Sequence, residues 1–151
     1  MAVHFKICVD CADPHLLAAF WAEAMGYRVE DHSELIANLL DQGLIEEEIL
    51  TEVDGRRAFK EFAAVNDPDA PLDPATGRTT GMRVLFQVVP EPKTVKNRIH
   101  LDLHVGIDNI DAEVERLVAL GATRLSDRFD EGGATWVVIG DPEGNEFCVH
   151  S

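Results

Sequence analysis

The stretch ADPHLLAAFWAEAMG, residues 12–26, decides the first half of the fold. Asp13 is a typical helix N-cap, and Gly26 suits the position just after a last helical turn. The alternating segment HFKICVD, residues 4–10, precedes this helix, and YRVED, residues 27–31, follows it. Alternation of apolar and polar residues is typical of a half-buried strand. The pattern therefore predicts a strand, a helix and a second strand in that order.

The same order of elements recurs in the second half of the chain. The alternating segment NRIHLDLHV, residues 97–105, leads into DNIDAEVERLVALG, residues 108–121, which has apolar residues at helical spacing. Val118 belongs to that apolar face. Three further segments follow and are joined by turn residues: ATRLSDRF at 122–129, ATWVVIG at 134–140 and EFCVH at 146–150. They predict further strands.

The first half ends in segments that match the second. AAVNDPDA, residues 63–70, echoes VVIGDPEG, residues 137–144, and residues 82–89 take the place of the final strand. We therefore predict an α+β fold of two tandem βαβββ modules with mixed sheets and the helices on the outer face. Module one spans residues 1–90, and module two spans residues 97–151.

Two segments lie outside this repeat. Residues 90–96, PEPKTVK, are predicted to be the linker between the modules. Module one also carries an insertion at about residues 31–60. In it, Ser33 is a candidate cap and Gly43 a candidate stop for a short amphipathic helix.

The rest of the first module leaves alternatives open. Asp54-Gly55 is a strong hairpin signal within residues 44–62, but the spacing of Phe59 and Phe62 suits a helix equally well. Residues 66–81 are rich in proline and glycine and are predicted to be a loop. A lid over a cleft and a disordered segment are the two interpretations of such a long loop.

The composition limits the classes of function. The chain has 151 residues, of which 46% are hydrophobic and 27% charged, and these values are typical of one globular domain. The net charge is −15, and such a field repels nucleic acid and anionic lipid surfaces. No stretch reaches membrane-spanning length. We expect a cytoplasmic protein without nucleic-acid or membrane partners.

The cysteines do not predict a disulfide framework. Cys8, Cys11 and Cys148 are an odd and small number. Cys8 and Cys11 form a CxxC motif, but no second pair accompanies it, and it lies in a predicted strand instead of at a helix start. We interpret both as reduced thiols and not as a redox or zinc pair.

Polar side chains share one face of the predicted strands. Alternation places the following residues opposite the apolar face: His4, Lys6 and Cys8; Arg83 and Gln87; His100, Asp102 and His104; Glu146, Cys148 and His150. Many of them are potential metal ligands or acid–base groups. One possible centre joins His100 and Glu146 with His4 or His104. A bound metal, a metal-free ligand site and a solvated sheet face all remain open, and Trp136 is expected to be a packing residue.

Four stretches together resemble the vicinal oxygen chelate superfamily, which includes glyoxalase I, bleomycin-resistance proteins and extradiol dioxygenases. They are DCADPHLLAAFWAEAMGY at 10–27, KNRIHLDLHVG at 96–106, DAEVERLVALGA at 111–122 and WVVIGDPEGNEFCV at 136–149. Small bacterial glyoxalase-like domain proteins are the narrower resemblance. It implies a single domain over 1–151, an open cup-shaped sheet, a small-molecule ligand and a homodimer.

The resemblance also implies a set of metal ligands from the first and last strands of both modules. By position these fall on Lys6, on or near Gln87, on His100 and on Cys148. His100 is a standard ligand and Gln87 an acceptable one, but the ammonium of Lys6 repels a divalent cation. Cys148 stands where metal-binding members usually carry Glu. The implied cofactor is a divalent metal such as Zn, Ni, Mn or Fe, or none.

Three functions compete on this basis. The first is a metal-dependent lyase, isomerase or dioxygenase-like enzyme with His100 or Glu146 as ligand or base. The second is a metal-free binding or sequestering protein of the bleomycin-resistance kind. The third is a metal-free acid–base reaction through Lys6 and His100. We predict a small-molecule-binding protein whose ligand contacts are drawn from His4, Arg83, Gln87, Asp102, His104 and Cys148, with catalysis left open.

Overall fold

The structure is a computed structural model, and it describes residue 3, residues 5–71 and residues 79–151. The chain divides into two compact units, Met1–Pro90 and Glu91–Ser151. None of the helices in the described ranges is long and apolar enough to cross a membrane. His4 was a predicted ligand-binding residue, and it lies outside the described residues.

The first unit is a four-stranded sheet with a helix and an insertion. Its elements are β1 (Ile7–Cys11), α1 (Pro14–Met25), β2 (Arg28–Val29), α2 (Ser33–Asp41), a 3-10 turn (Glu47–Ile49), β3 (Leu50–Val53), β4 (Arg56–Phe59), β5 (Phe62–Asn66) and β6 (Arg83–Val88). The sheet order is β1-β6-β5-β2, with β1 parallel to β6 and the other neighbours antiparallel.

The second unit repeats this topology. Its elements are β7 (Asp102–His104), a 3-10 turn (Ile107–Asn109), α3 (Ile110–Ala119), β8 (Thr123–Arg124), β9 (Phe129–Glu131), β10 (Ala134–Gly140) and β11 (Glu146–His150). The order is β7-β11-β10-β8, with β7 parallel to β11 and β9 paired to β10. The same strand order in both units confirms the α+β class and the tandem βαβββ topology.

Helix α1 begins and ends where its sequence predicts. The carboxylate of Asp13 accepts hydrogen bonds from the backbone N–H groups of His15 and Leu16, at 3.1 and 3.0 Å. Gly26 follows the helix with φ +66°, which suits a residue without a Cβ. Buried Leu17 is part of the apolar face that packs on the sheet.

Helix α3 covers one face of the second sheet. Ile110, Val114 and Leu117 are buried on the helix, and Val137, Ile139, Phe147 and Val149 are buried on the strands. The prediction that Val118 belongs to this packed face is wrong, because Val118 is exposed at the margin of the helix. The helix-covered face of β10 and β11 is therefore apolar, as the alternation predicts.

The strand predicted at the start of each module begins later than the polar-apolar alternation suggests. Phe5 is 76% exposed and Ile99 is 85% exposed, although the alternation placed both on the packed faces. Pairing begins only at Ile7 in β1 and at Asp102 in β7. Phe5 and Ile99 lie before these paired segments, and neither side chain is packed.

The insertion forms a small core of its own. Asp54 and Gly55 have φ of +51° and +74° and turn the β3–β4 hairpin, so the hairpin interpretation is confirmed. The ring centroids of Phe59 and Phe62 are 4.5 Å apart, and the rings are stacked. Phe59 belongs to β4 and Phe62 to β5, which excludes the helical alternative. Phe59 also packs with Ile36 of α2 and with Leu50.

Two further predictions concern the ends of loops and helices. The predicted cap at Ser33 is wrong, because Ser33 begins α2 and its N–H donates to the carboxylate of Asp31 at 2.9 Å. Gly43 follows the helix end with φ +66°. The predicted loop at residues 66–81, with its two interpretations, lies partly outside the described residues, since residues 72–78 are not among them.

Candidate functional site

Four polar side chains lie together on one face of the second sheet. The pairing register places Asp102 of β7 opposite Cys148 of β11, and His104 opposite His150. Residues directly opposite on neighbouring strands point to the same face. The opposite face is buried beneath α3, so this set occupies the side of the sheet that α3 does not cover.

His100 joins this set from a position two residues before β7. One ligand atom each from His100, Asp102 and Cys148 lie within 4.8 Å of one another. The Nε2 atom of His100 is 3.5 Å from Oδ1 of Asp102. The three residues offer an imidazole nitrogen, a carboxylate oxygen and a sulfur, and only Cys148 is buried.

The protein environment favours the protonated thiol of Cys148. Burial raises the pKa of Cys148 to about 11, and the nearby carboxylate of Asp102 adds to the rise by its charge and by a hydrogen bond. At neutral pH the thiol therefore keeps its proton. A metal ion bound there must displace that proton, because thiolate is the ligand form.

The donor set fits a borderline metal ion better than a hard one. Nitrogen, carboxylate oxygen and sulfur are the three donor types of zinc sites in proteins, and catalytic zinc sites commonly have three protein ligands. Hard cations such as Mg²⁺ prefer oxygen ligands alone. His100, Asp102 and Cys148 are thus suited to zinc.

Glu146 lies on the same face but is bound by its neighbours. One carboxylate oxygen accepts the backbone N–H of Asn97 at 2.9 Å, and Nζ of Lys93 lies 3.2 Å from the other. The hydrogen bond from Asn97, together with Lys93, lowers the pKa of Glu146 to about 2. Such a carboxylate is a weak base at neutral pH. The contacts instead tie the segment around residues 93–97 to the last strand.

Aromatic rings continue the polar face across the sheet. Trp136 pairs with His150 on one side and with Phe129 on the other. The Trp136 ring stacks on Phe129 at 5.3 Å and on His150 at 6.1 Å. Trp136 is half-buried and packs between these two rings on the face that carries Cys148, which agrees with the expectation of a packing residue.

The predicted residues of the first unit have their own partners. The amide nitrogen of Gln87 donates to the carboxylate of Asp10 at 2.9 Å. Lys6 is exposed and lies one residue before β1. Cys8 is exposed and Cys11 is buried, and neither forms a disulfide. The thiol of Cys11 donates to the backbone carbonyl oxygen of Gln87 at 3.4 Å.

Arg83 is held by a carboxylate of the same unit. Its Nε and Nη2 atoms donate to the two oxygens of Glu30, each at 2.7 Å. Asn66 and His32 also bond to Glu30, at 3.0 and 3.1 Å. Burial opposes ionisation of Glu30, but these hydrogen bonds and the charge of Arg83 together keep its pKa well below the usual range. The guanidinium of Arg83 is thus engaged within the fold.

The two last strands differ at the position of Cys148. Counted from the Asp-Pro turn that follows β5 and β10, Leu85 holds in β6 the register position that Cys148 holds in β11. Gln87 holds the position of His150. The last strand of the first unit therefore offers an apolar side chain where the second unit offers a thiol.

Comparison with known families places this fold. Residues 6–150 match the sequence profile of the family described as glyoxalase-like domain. The chain belongs to the glyoxalase-like domain family. This agrees with the resemblance to the vicinal oxygen chelate superfamily. None of the curated proteins matches the sequence of this glyoxalase-like chain significantly.

Solved structures share the fold of this glyoxalase-like chain at low sequence identity. A glyoxalase/bleomycin resistance protein/dioxygenase family enzyme from Burkholderia phytofirmans is 16% identical, with a TM-score of 0.62 over 99% of this chain and 98% of that one. A fosfomycin resistance protein from Mesorhizobium loti is 10% identical, with a TM-score of 0.58 over 100% and 92%. An oxidase, ChaP-H2, is 16% identical, with 0.58 over 100% and 94%.

Sequence reasoning missed part of the site in this glyoxalase-like chain. Phe129 was not predicted to belong to it, and Trp136 was assigned to packing. Alternation along β10 already separates Trp136 from the buried Val137. The missing information was the pairing of β10 with β11 and β9, which the sequence does not contain.

Proposed function

We propose that this glyoxalase-like chain binds a small oxygen-rich molecule on the polar face of its second unit, beside a divalent metal. His100, Asp102 and Cys148 hold the metal. The observation that supports this is the separation of at most 4.8 Å among their three ligand atoms. Assembly as a homodimer and a cytoplasmic location are part of the same proposal, and they follow from the family resemblance and the acidic composition.

The donor set favours zinc as the metal and a lyase or isomerase as the activity. Zinc accepts nitrogen, oxygen and sulfur ligands, and three protein ligands leave a position for an oxygen of the bound molecule. Bound zinc would supply Lewis-acid polarisation of that oxygen. Dioxygenase chemistry needs a redox-active metal, and zinc is not one.

Two histidines of the same face are placed to move a proton. The Nδ1 atoms of His104 and His150 both donate to the backbone carbonyl oxygen of Ser151, each at 2.9 Å. These hydrogen bonds leave Nε2 of each neutral ring as a proton acceptor. The lowered pKa of Glu146 makes its carboxylate a weak base, so the Nε2 atoms of the two histidines suit the role of base better.

The second candidate function is metal-free binding of the bleomycin-resistance kind. It is favoured by the raised pKa of Cys148, whose protonated thiol already interacts with Asp102. Asp102 in turn lies 3.5 Å from His100. In this alternative the three side chains interact with one another instead of with a metal, and the ligand is held by hydrogen bonds alone.

Metal binding distinguishes the two candidates. The purified protein is loaded with Zn²⁺, desalted and analysed for metal, and a second sample is loaded with Co²⁺ and examined for sulfur-to-cobalt charge-transfer absorption. We expect about one metal per chain, lost in His100→Ala and Cys148→Ser. Cys8→Ser is the matched control, because Cys8 is an exposed thiol outside the group, and it should bind like wild type.

The outcomes separate the candidates cleanly. A charge-transfer band that disappears in Cys148→Ser and in His100→Ala but persists in Cys8→Ser supports the metal site. Retention of less than about a tenth of a metal per chain after desalting would refute it and leave the metal-free candidate. Loss of the band in Cys8→Ser would place the metal elsewhere.

A further inference from the structure

A row of four rings crosses the second sheet at one level. His104 of β7 pairs with His150 of β11, His150 pairs with Trp136 of β10, and Trp136 pairs with Phe129 of β9. Each pair is directly opposite across neighbouring strands, so all four rings lie on the same face. We refer to His104, His150, Trp136 and Phe129 as the ring row.

Each ring of the row contacts the next, but the angle between ring planes differs from pair to pair. Phe129 and Trp136 stack with 22° between their planes, and Trp136 and His150 stack with 9°. His150 and His104 are 4.9 Å apart and tilted by 57°. The row ends at Phe129, which is 38% exposed on a strand whose three residues are all exposed. Aromatic surface is therefore accessible at this end.

The other end of the ring row offers hydrogen-bond acceptors. Both histidines donate through Nδ1 to the carbonyl oxygen of Ser151, so each neutral ring keeps an acceptor at Nε2. The register also places Glu131 opposite Ala134, on the same face as Phe129. A ligand that matches this surface has an aromatic part and presents donors, and a carboxylate ligand does not complement it.

We propose that the ring row binds a planar ring that carries an O–H or N–H donor. The ring of the ligand packs against Trp136 and Phe129, and its donor bonds to Nε2 of His150, the histidine that stacks on Trp136. The inference deepens the proposed function and rests on it in one respect, since the ring row lies on the sheet face that carries the proposed metal ligands. It names the class of ligand as hydroxylated or amino-substituted aromatic molecules.

The test uses 2-naphthol as the probe and the metal-free full-length chain, prepared by dialysis against EDTA. Binding is measured by calorimetry and by saturation transfer from protein to probe in NMR. We expect 2-naphthol to bind and cyclohexanol, which has a hydroxyl but no planar ring, to bind at least about tenfold more weakly. Trp136→Ala should lower the affinity for 2-naphthol by a similar factor. Phe5→Ala removes an exposed ring of the first unit and should leave affinity unchanged.

A second variant tests the acceptor separately from the ring. His150→Phe keeps an aromatic ring and removes Nε2, so the affinity for 2-naphthol should fall about three- to tenfold. The affinity for 2-methoxynaphthalene, which has no donor, should not fall. Unchanged melting temperatures of the variants confirm that they are folded. If Trp136→Ala does not fold, His150→Phe still tests the ligand site.

The outcomes keep this inference distinct from the proposed metal site. No binding of 2-naphthol, or equal affinity in wild type and Trp136→Ala, overturns the inference whether or not zinc binds. Equal losses for both naphthalene probes in His150→Phe overturn the assigned hydrogen bond. Zinc binding that fails while 2-naphthol binds refutes the metal centre and leaves the ring row as the ligand site.

Discussion

Replacing Glu30 by Gln should destabilise the first unit through Arg83. The carboxylate accepts two hydrogen bonds of 2.7 Å from the guanidinium, and the side chains of Arg83 and Glu30 are only 25% and 15% exposed. Removing one partner of a buried ion pair costs about 3–5 kcal/mol, mainly because the other charge stays desolvated. The partial exposure of Arg83, and the amide oxygen that Gln retains, reduce the expected loss to about 2–3 kcal/mol.

The pH dependence of this loss gives the prediction a second test. The pKa of Glu30 is lowered in the folded protein, so its stabilisation is fully present above the unfolded value of about 4.3. The stabilisation is lost as the pH falls from there through the folded pKa, because over that range the unfolded chain takes up a proton that the folded protein does not. Gln does not titrate, so the difference between wild type and Glu30→Gln should shrink below about pH 4.

Fluorescence can follow the first unit alone. The chain has two tryptophans, and Trp21 is buried in the first unit, so a Trp136→Phe background leaves Trp21 as the only reporter. Urea unfolding in that background should show the loss of about 2–3 kcal/mol near pH 7, or a melting temperature roughly 4–12 °C lower. Glu61→Gln, an exposed carboxylate at the start of β5, should change stability by less than about 0.5 kcal/mol. A Glu30→Gln effect as small as the control, or one that does not change with pH, would refute the reasoning.

Two further predictions concern the helix cap and the thiols. Asp13→Ala removes the acceptor for two backbone N–H groups at the start of α1, and urea unfolding should show a loss of about 1 kcal/mol, whereas an unchanged midpoint would contradict the cap. Iodoacetamide at about pH 8 should modify exposed Cys8 well before buried Cys148, whose pKa is raised to about 11, because the thiolate is the reactive form. Peptide mass spectrometry over time measures both sites, and equal rates would argue against the burial of Cys148.

Much of the fold was predictable because its signals are local. The Asp13 cap and the glycine after α1 act within a few residues, and the Asp54-Gly55 turn requires only its own positive φ values. The echo between the two Asp-Pro turns predicted the tandem modules. The prediction failed where the polar-apolar alternation extends beyond the paired part of a strand. Phe5 and Ile99 lie before the paired segments and are exposed.

The candidate site was predictable only in part. Alternation assigned Asp102, Cys148 and His150 to a polar face, and the register agrees with that assignment. It did not give the partner of any of them. The stacking of Trp136 between Phe129 and His150 depends on three neighbouring strands, so no single segment contains it.

The sequence by itself determined the order of the elements and the face on which the side chains of the paired strands lie. Both follow from local backbone patterns, with a period of two residues in strands and 3.6 in helices. Tertiary structure decided which side chains meet. Arg83 and Glu30 are 53 residues apart in the chain, yet Nε of Arg83 lies 2.7 Å from Oε1 of Glu30 in the fold. The raised pKa of Cys148 likewise comes from burial and from Asp102 on the neighbouring strand. Hydrogen bonds, desolvation and ion pairing act through space, so they are set only when the strands have paired and the core has closed.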